Sequence, residues 1–143
     1  MIRTLSLIAA PLIVGLTLTT APAVAEPTGT LTVTFETGAR TGAVMVALYD
    51  AQTYVGGQPI RGARLDVATG QTIASFAGLE PGEYGIKAFH DVNGNGQMDT
   101  NPFGMPIEPF AFSNNAVGNM GPAGWDRARF SVEGTTTQTI SIR

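Results

Sequence analysis

The sequence predicts an all-β protein: a single β-sandwich domain of about seven strands with one long aromatic loop. Three observations lead there. Apolar and polar residues alternate with period two, glycine, Pro-Gly and Asx turns separate the alternating runs, and no stretch beyond residue 25 keeps a helical period.

The first residues read as a secretory signal. Arg3 is the positive n-region, Leu5 to Leu18 is largely apolar, and Ala23-Val24-Ala25 is a small-x-small cleavage site. The apolar run is shorter than the roughly 20 residues that span a bilayer, so no transmembrane anchor is expected after cleavage. The reading divides the chain into a signal peptide (1–25) and one domain (26–143). With Arg3 removed, seven basic residues face eleven acidic ones, so no basic patch remains for a nucleic acid partner. The chain has no cysteine, which removes disulfides and lipid attachment at a processed N-terminal cysteine. A secreted or periplasmic product is expected.

The strands follow in order. Leu31, Val33 and Phe35 share one face, with threonines on the other. In the next run Val44, Val46 and Leu48 share a face, and Met45, Ala47 and Tyr49 make the opposite face apolar too, as in a strand covered on both sides. A loop over 50–62 leads to strands over 63–67 and 72–76. Leu79-Glu80-Pro81-Gly82 is a tight turn, because proline presets φ and glycine takes the positive φ that follows. Out of it runs a strand over 83–91, with Tyr84, Ile86, Ala88 and His90 on one face. Two last strands, 128–132 and 136–142, flank a turn at Gly134. Between Thr100 and Trp125 the alternation gives way to proline, glycine and asparagine mixed with aromatics. A loop this long is usually functional or disordered, and Phe103, Phe110, Phe112 and Trp125 argue against disorder. Phe89, outward-facing beside Lys87, offers those rings a place to dock.

Two segments carry a family resemblance. Phe76-Ala77-Gly78-Leu79-Glu80-Pro81-Gly82-Glu83-Tyr84 resembles the turn of prealbumin-like and Cna-B-like sandwiches, in which a tyrosine caps the core after Pro-Gly. The run through Phe89-His90-Asp91, Asn93-Gly94-Asn95-Gly96, Asp99-Thr100-Asn101, Phe103-Gly104, Pro106 and Phe112-Ser113-Asn114-Asn115 is similar to a bacterial exported family, domain of unknown function 2141 (DUF2141). The likeness covers nearly all of the domain. It implies one exported Greek-key sandwich of immunoglobulin or prealbumin type, and no activity.

The stretch His90 to Asp99 also has a chemistry of its own. Asp91, Asn93, Asn95 and Asp99 stand where a calcium loop places ligands 1, 3, 5 and 9, Gly96 takes the sharp turn, and Gln97 supplies a carbonyl. Pro102 occupies the place of the usual bidentate glutamate, so Asn101 or Glu108 would have to complete the shell. Two carboxylates predict weak Ca2+ binding, roughly tenth-millimolar to millimolar. Magnesium demands a tighter octahedron, and zinc prefers nitrogen and sulfur. The bland reading is a polar Asx turn. His90, the one histidine, reads as a rim residue bonded to the returning loop, or else as a ligand or base beside Asp91.

Trp125, Phe103 and Asn114 are the candidate ligand-binding residues, a platform for sugar or peptide; packing and turn capping are the competing roles. The expected function is an exported, non-catalytic, calcium-stabilised module that binds an envelope polysaccharide or protein. The alternative is a purely structural envelope protein with the ion as a fold staple. A hydrolase is disfavoured, since the chain has no cysteine nucleophile, no serine elbow and too few histidines for a catalytic zinc.

Overall fold

Alternation becomes burial in β1 (Gly29–Thr37). Leu31, Val33 and Phe35 are closed off from solvent while the threonines between them stay partly open. The computed structural model describes residues 28–142, so the signal-peptide reading of 1–25 lies outside the described residues. β2 (Ala43–Asp50) and β3 (Arg61–Asp66) form an antiparallel pair, and β4 (Ile73–Leu79) and β5 (Gly82–Asp91) flank the Pro-Gly turn. Three residues form β6 (Phe110–Phe112), one helical turn forms α1 (Trp125–Ala128), and β7 (Phe130–Val132) and β8 (Thr135–Ile142) finish the chain.

The strands make two sheets. The smaller has the order β4-β1-β8, with β1 parallel to β8. The larger has the order β3-β2-β5, and the far edge of β5 is shared end to end: β7 pairs residues 82–84 and β6 pairs residues 87–89. The chain crosses between sheets at β1–β2, β3–β4, β4–β5 and β7–β8. Side chains from both inner faces meet in one core: Leu31, Phe35 and Ile140 from the smaller sheet, Val44, Leu48 and Ile86 from the larger. Burying each contributes about 1.5–3 kcal/mol. The all-β sandwich is therefore observed, with eight strands rather than seven.

Tyr84 seals one end of that core. Its ring is buried and its hydroxyl donates to Glu80 O at 2.7 Å, across the Pro-Gly turn. Two expectations need correction. The strand expected over 128–132 is shortened to β7, because α1 takes up Trp125–Ala128 after Gly124. The loop expected to run from 100 to 125 contains β6 and a one-turn 3-10 segment, Ser113–Asn115. Three-residue strands are too short to show alternation.

Beside the main core lies a second cluster around Tyr54, with Phe112, Ala123 and Ala128, packed by Tyr49 and Trp125. The Tyr54 hydroxyl donates to Ala123 O at 2.8 Å. Burial, with a smaller contribution from Tyr49, pushes the phenol up to about 12. The unfolded chain releases this proton near pH 10 and the folded chain near 12, so the folded state holds more protons between those values. Stability contributed by Tyr54 is whole below pH 10 and declines as pH rises toward 12. Urea unfolding from pH 9 to 11 should show this fall, and Tyr54→Phe should flatten it. A slope unchanged by the substitution would count against the assignment.

Candidate functional site

At the end of β5 the chain turns sharply, and Asp91 organises the turn. The residue is fully buried, and its two carboxylate oxygens accept three backbone N–H groups: Gly94 at 2.8 Å and Asn95 at 3.0 Å on Oδ1, and Gly96 at 2.7 Å on Oδ2. Gly94 and Gly96 have φ of 77° and 79°, which lets successive amides point inward at one acceptor. Asp99 closes the loop from the other side. Its oxygens accept Asn93 Nδ2 at 2.5 Å and Asn95 Nδ2 at 2.9 Å. The asparagine Oδ1 atoms accept the amides of Asn95 and Gln97, at 3.0 and 2.8 Å. Asn93, Asn95 and Asp99 thus touch one another, Asp91 holds the loop from beneath, and the Gln97 side chain is exposed.

All the side-chain donors available to a cation here are oxygens, which suits calcium better than a softer metal. Among the described residues no three His, Cys, Asp or Glu side chains form a metal-holding group. Two carboxylates and two amides are what the loop offers.

Glu108 secures the loop's ends. It is almost fully buried, and it accepts Val92 N on Oε1 at 2.9 Å and Asp99 N on Oε2 at 3.1 Å. Its carboxylate thus spans the entry and exit of the turn. Beyond Asp99 a small hairpin forms over 99–107, with a Thr100–Pro106 bridge. Asn101 Oδ1 accepts the amides of Phe103 and Met105 at its tip. His90 points into the sandwich, fully buried. Its Nε2 donates to Thr41 O at 2.7 Å, and its Nδ1 meets no partner among the described residues. His90 and Asp91 are neighbours on opposite faces of the strand, so they do not act on one group.

The returning segments do not close over Phe89. They arch over the outer face of the larger sheet and leave a cleft of about 1130 Å³. Met45, Ala47 and Tyr49 of β2 and Lys87 and Phe89 of β5 form its floor, with Phe110 and Phe112 continuing it onto β6. One wall is Met98 and Gly104–Pro106, carried by the loop and hairpin just described. The other is Met120, Gly121 and Pro122. The hairpin is fastened at its base by Glu108 and through Asp99, so the Asp91–Asp99 loop and the cleft wall are one unit.

The three residues expected to bind ligand lie in different places. Phe103 stands at the hairpin tip, 87% exposed and outside the cleft lining. Trp125 is half-buried against Tyr54, with ring centroids 5.4 Å apart, and it lies over Gly85. Asn114 has φ of 59° and works as a staple. Its Nδ2 donates to Arg127 O and Arg129 O at 3.1 and 2.9 Å, and its Oδ1 accepts Gln138 Nε2 at 3.2 Å.

Its neighbours complete a clasp. Ser113 Oγ accepts Ile86 N at 2.9 Å and donates to Ala128 O, in the gap on the β5 edge between β6 and β7. Asn115 donates to Thr139 O and accepts Ser141 N, at 3.1 and 2.8 Å, capping the outer edge of β8. Ser113-Asn114-Asn115 therefore joins the two sheets. The cleft-lining methionines and Lys87 were missed by reading the sequence; the double apolar face of β2 was the signal that pointed toward them.

With this geometry in hand, comparison with known families is decisive. The family described as "Uncharacterized protein conserved in bacteria (DUF2141)" matches residues 33–140, from β1 to β8. The chain belongs to the DUF2141 family. No curated protein matches it. The matched stretch of this DUF2141 protein includes the Asp91–Asp99 loop, the residues lining the cleft and Ser113-Asn114-Asn115.

Proposed function

We propose that this DUF2141 protein is an exported, non-catalytic binding module, with its ligand seat in the cleft over the larger sheet. The carrying observation is the cleft itself: about 1130 Å³, open, and floored by a strand whose outward side chains are apolar. Ligand sites are characteristically concave and mostly apolar, of roughly 300–1,000 Å³, with few polar groups. The Asp91–Asp99 loop serves the seat indirectly. Calcium, bound through Asp91, Asn93, Asn95, Asp99 and the Gln97 carbonyl, would stiffen the loop that carries Met98 and so preorganise one wall. Hydrogen bonds already close the loop, so the ion adds rigidity and the fold does not depend on it.

The test pairs two measurements. An anilinonaphthalene dye should bind with enhanced fluorescence, and Ala47→Trp, which fills the floor, should abolish the signal while the melting transition persists. Absence of dye binding, or equal binding by Ala47→Trp, would overturn the binding reading. Millimolar calcium should raise the melting temperature by mass action on the folded state, and Asp99→Asn should cancel the rise. A melt indifferent to calcium would remove the ion from the proposal and leave the cleft.

A further inference from the structure

Lys87 is the one charged residue in the cleft lining. It sits at the end where the floor meets the Tyr49–Tyr54 pair. Its Nζ donates to Tyr54 O at 2.6 Å and lies 4.7 Å from the Tyr49 ring centroid and 4.4 Å from that of Tyr54. A carbonyl and two π faces orient the ammonium without neutralising it. Among the described residues no carboxylate pairs with it; the ion pairs there involve Arg129. Desolvation by burial holds the amine below the ordinary lysine value, so an anion at this spot would relieve a cost the fold already bears.

Away from Lys87 the cleft turns wholly apolar. Phe89 is the next outward residue on β5, paired with Met45, and beyond it stand Met98 and Met105. All four methionines of the described residues line this one cleft: Met45, Met98, Met105 and Met120. They stand on the floor and on both walls. Methionine is unbranched and soft, and a surface built of it shapes itself to a flexible chain rather than to a rigid ring. One oriented cation at the Tyr49 end and adaptable apolar walls at the other describe a head and a tail.

Resting on the binding reading above, we infer that the cleft takes a single-chain anionic amphiphile, its acidic head on Lys87 and its acyl tail running past Phe89 toward Met98 and Met105. The head chemistry common to the candidates is a carboxylate or phosphate on one long alkyl chain. Lys87 recognises it as a charge-assisted hydrogen bond in a partly desolvated site, where such bonds are at their strongest.

The experiment is calorimetric titration of the full domain with dodecanoate, dodecyl phosphate and the neutral methyl ester of dodecanoate. The wild type should bind at least one anion about tenfold or more tighter than the ester, and whichever anion binds better names the head group. Lys87→Gln should erase the preference while keeping ester binding. Lys87→Met, which retains the apolar stem, should do the same if the glutamine variant folds poorly. Ala47→Trp should lose all three ligands. Equal affinity for anions and ester, or a preference that survives both Lys87 variants, would overturn the amphiphile assignment and leave the binding module standing. No binding of any of the three, in a protein that also refuses the dye, would remove both. A dimer that occludes the cleft and takes up no amphiphile would also overturn the assignment, with a second copy as the occupant.

Discussion

Asp91→Ala is expected to lower the unfolding free energy by about 3 kcal/mol, measured as the shift of the urea midpoint in the presence of chelator. The carboxylate is fully buried and takes three backbone amides. Each bond to a charged acceptor is worth about 1.5–3 kcal/mol. The sum is not reached, because Gly94, Asn95 and Gly96 are exposed and water can satisfy part of what the mutation strands. Asp91→Asn should fall between the two, since one amide oxygen still accepts. Chelator matters to the design: it confines the measurement to the hydrogen bonds and excludes any ion. A midpoint unmoved by Asp91→Ala would mean that the loop forms without its central acceptor.

Ser113→Ala should cost a similar amount, about 2–4 kcal/mol, for the opposite solvent reason. The serine hydroxyl bridges Ile86 N and Ala128 O, and Ser113, Ile86 and Ala128 are all shut off from water. Deleting it leaves a donor and an acceptor with nothing to turn to. Denaturant melts should show the loss, and amide exchange should localise it. The Ile86 N–H, protected in the wild type, should exchange at a rate set by local opening. Retained protection at Ile86 would show that another group had filled the gap.

Much of the fold was legible because its long strands obey a local rule. Leu31-Val33-Phe35 and Tyr84-Ile86-Ala88-His90 each need only the period of two to declare their buried face, and the buried residues are these. The tyrosine after the Pro-Gly corner was readable for the same reason, but the turn was misplaced: the positive φ expected at Gly82 falls on Gly78 at 70°, and Gly82 already begins β5. The elements that escaped depend on distant partners. Phe110–Phe112 is a strand because Phe89 and Lys87 present a free edge, and that edge is free because β7 stops at Tyr84.

The site divides the same way. Spacing brought Asp91, Asn93, Asn95 and Asp99 forward, and the loop does draw the last three into contact. Glu108 was named only as a completing ligand, whereas its oxygens hold Val92 and Asp99 amides. The cleft was harder still. Phe89 signalled that its face needed company, but whether a proline-rich excursion lies flat or arches is decided by its fastenings at Glu108 and Ser113.

The parallel alignment of β1 with β8 bears on when the molecule can fold. β1 is the central strand of its sheet, yet one of its two neighbours, β8, lies about a hundred residues further along the chain. Ile140 and Ile142, both inaccessible to solvent, complete a core begun at Leu31. A nascent chain can zip β1 to β4 early, but the seam on the other side stays unstitched until β8 has been made. Closure of the smaller sheet is thus gated by β8, and a chain lacking it would expose a bare strand edge open to pairing with its siblings.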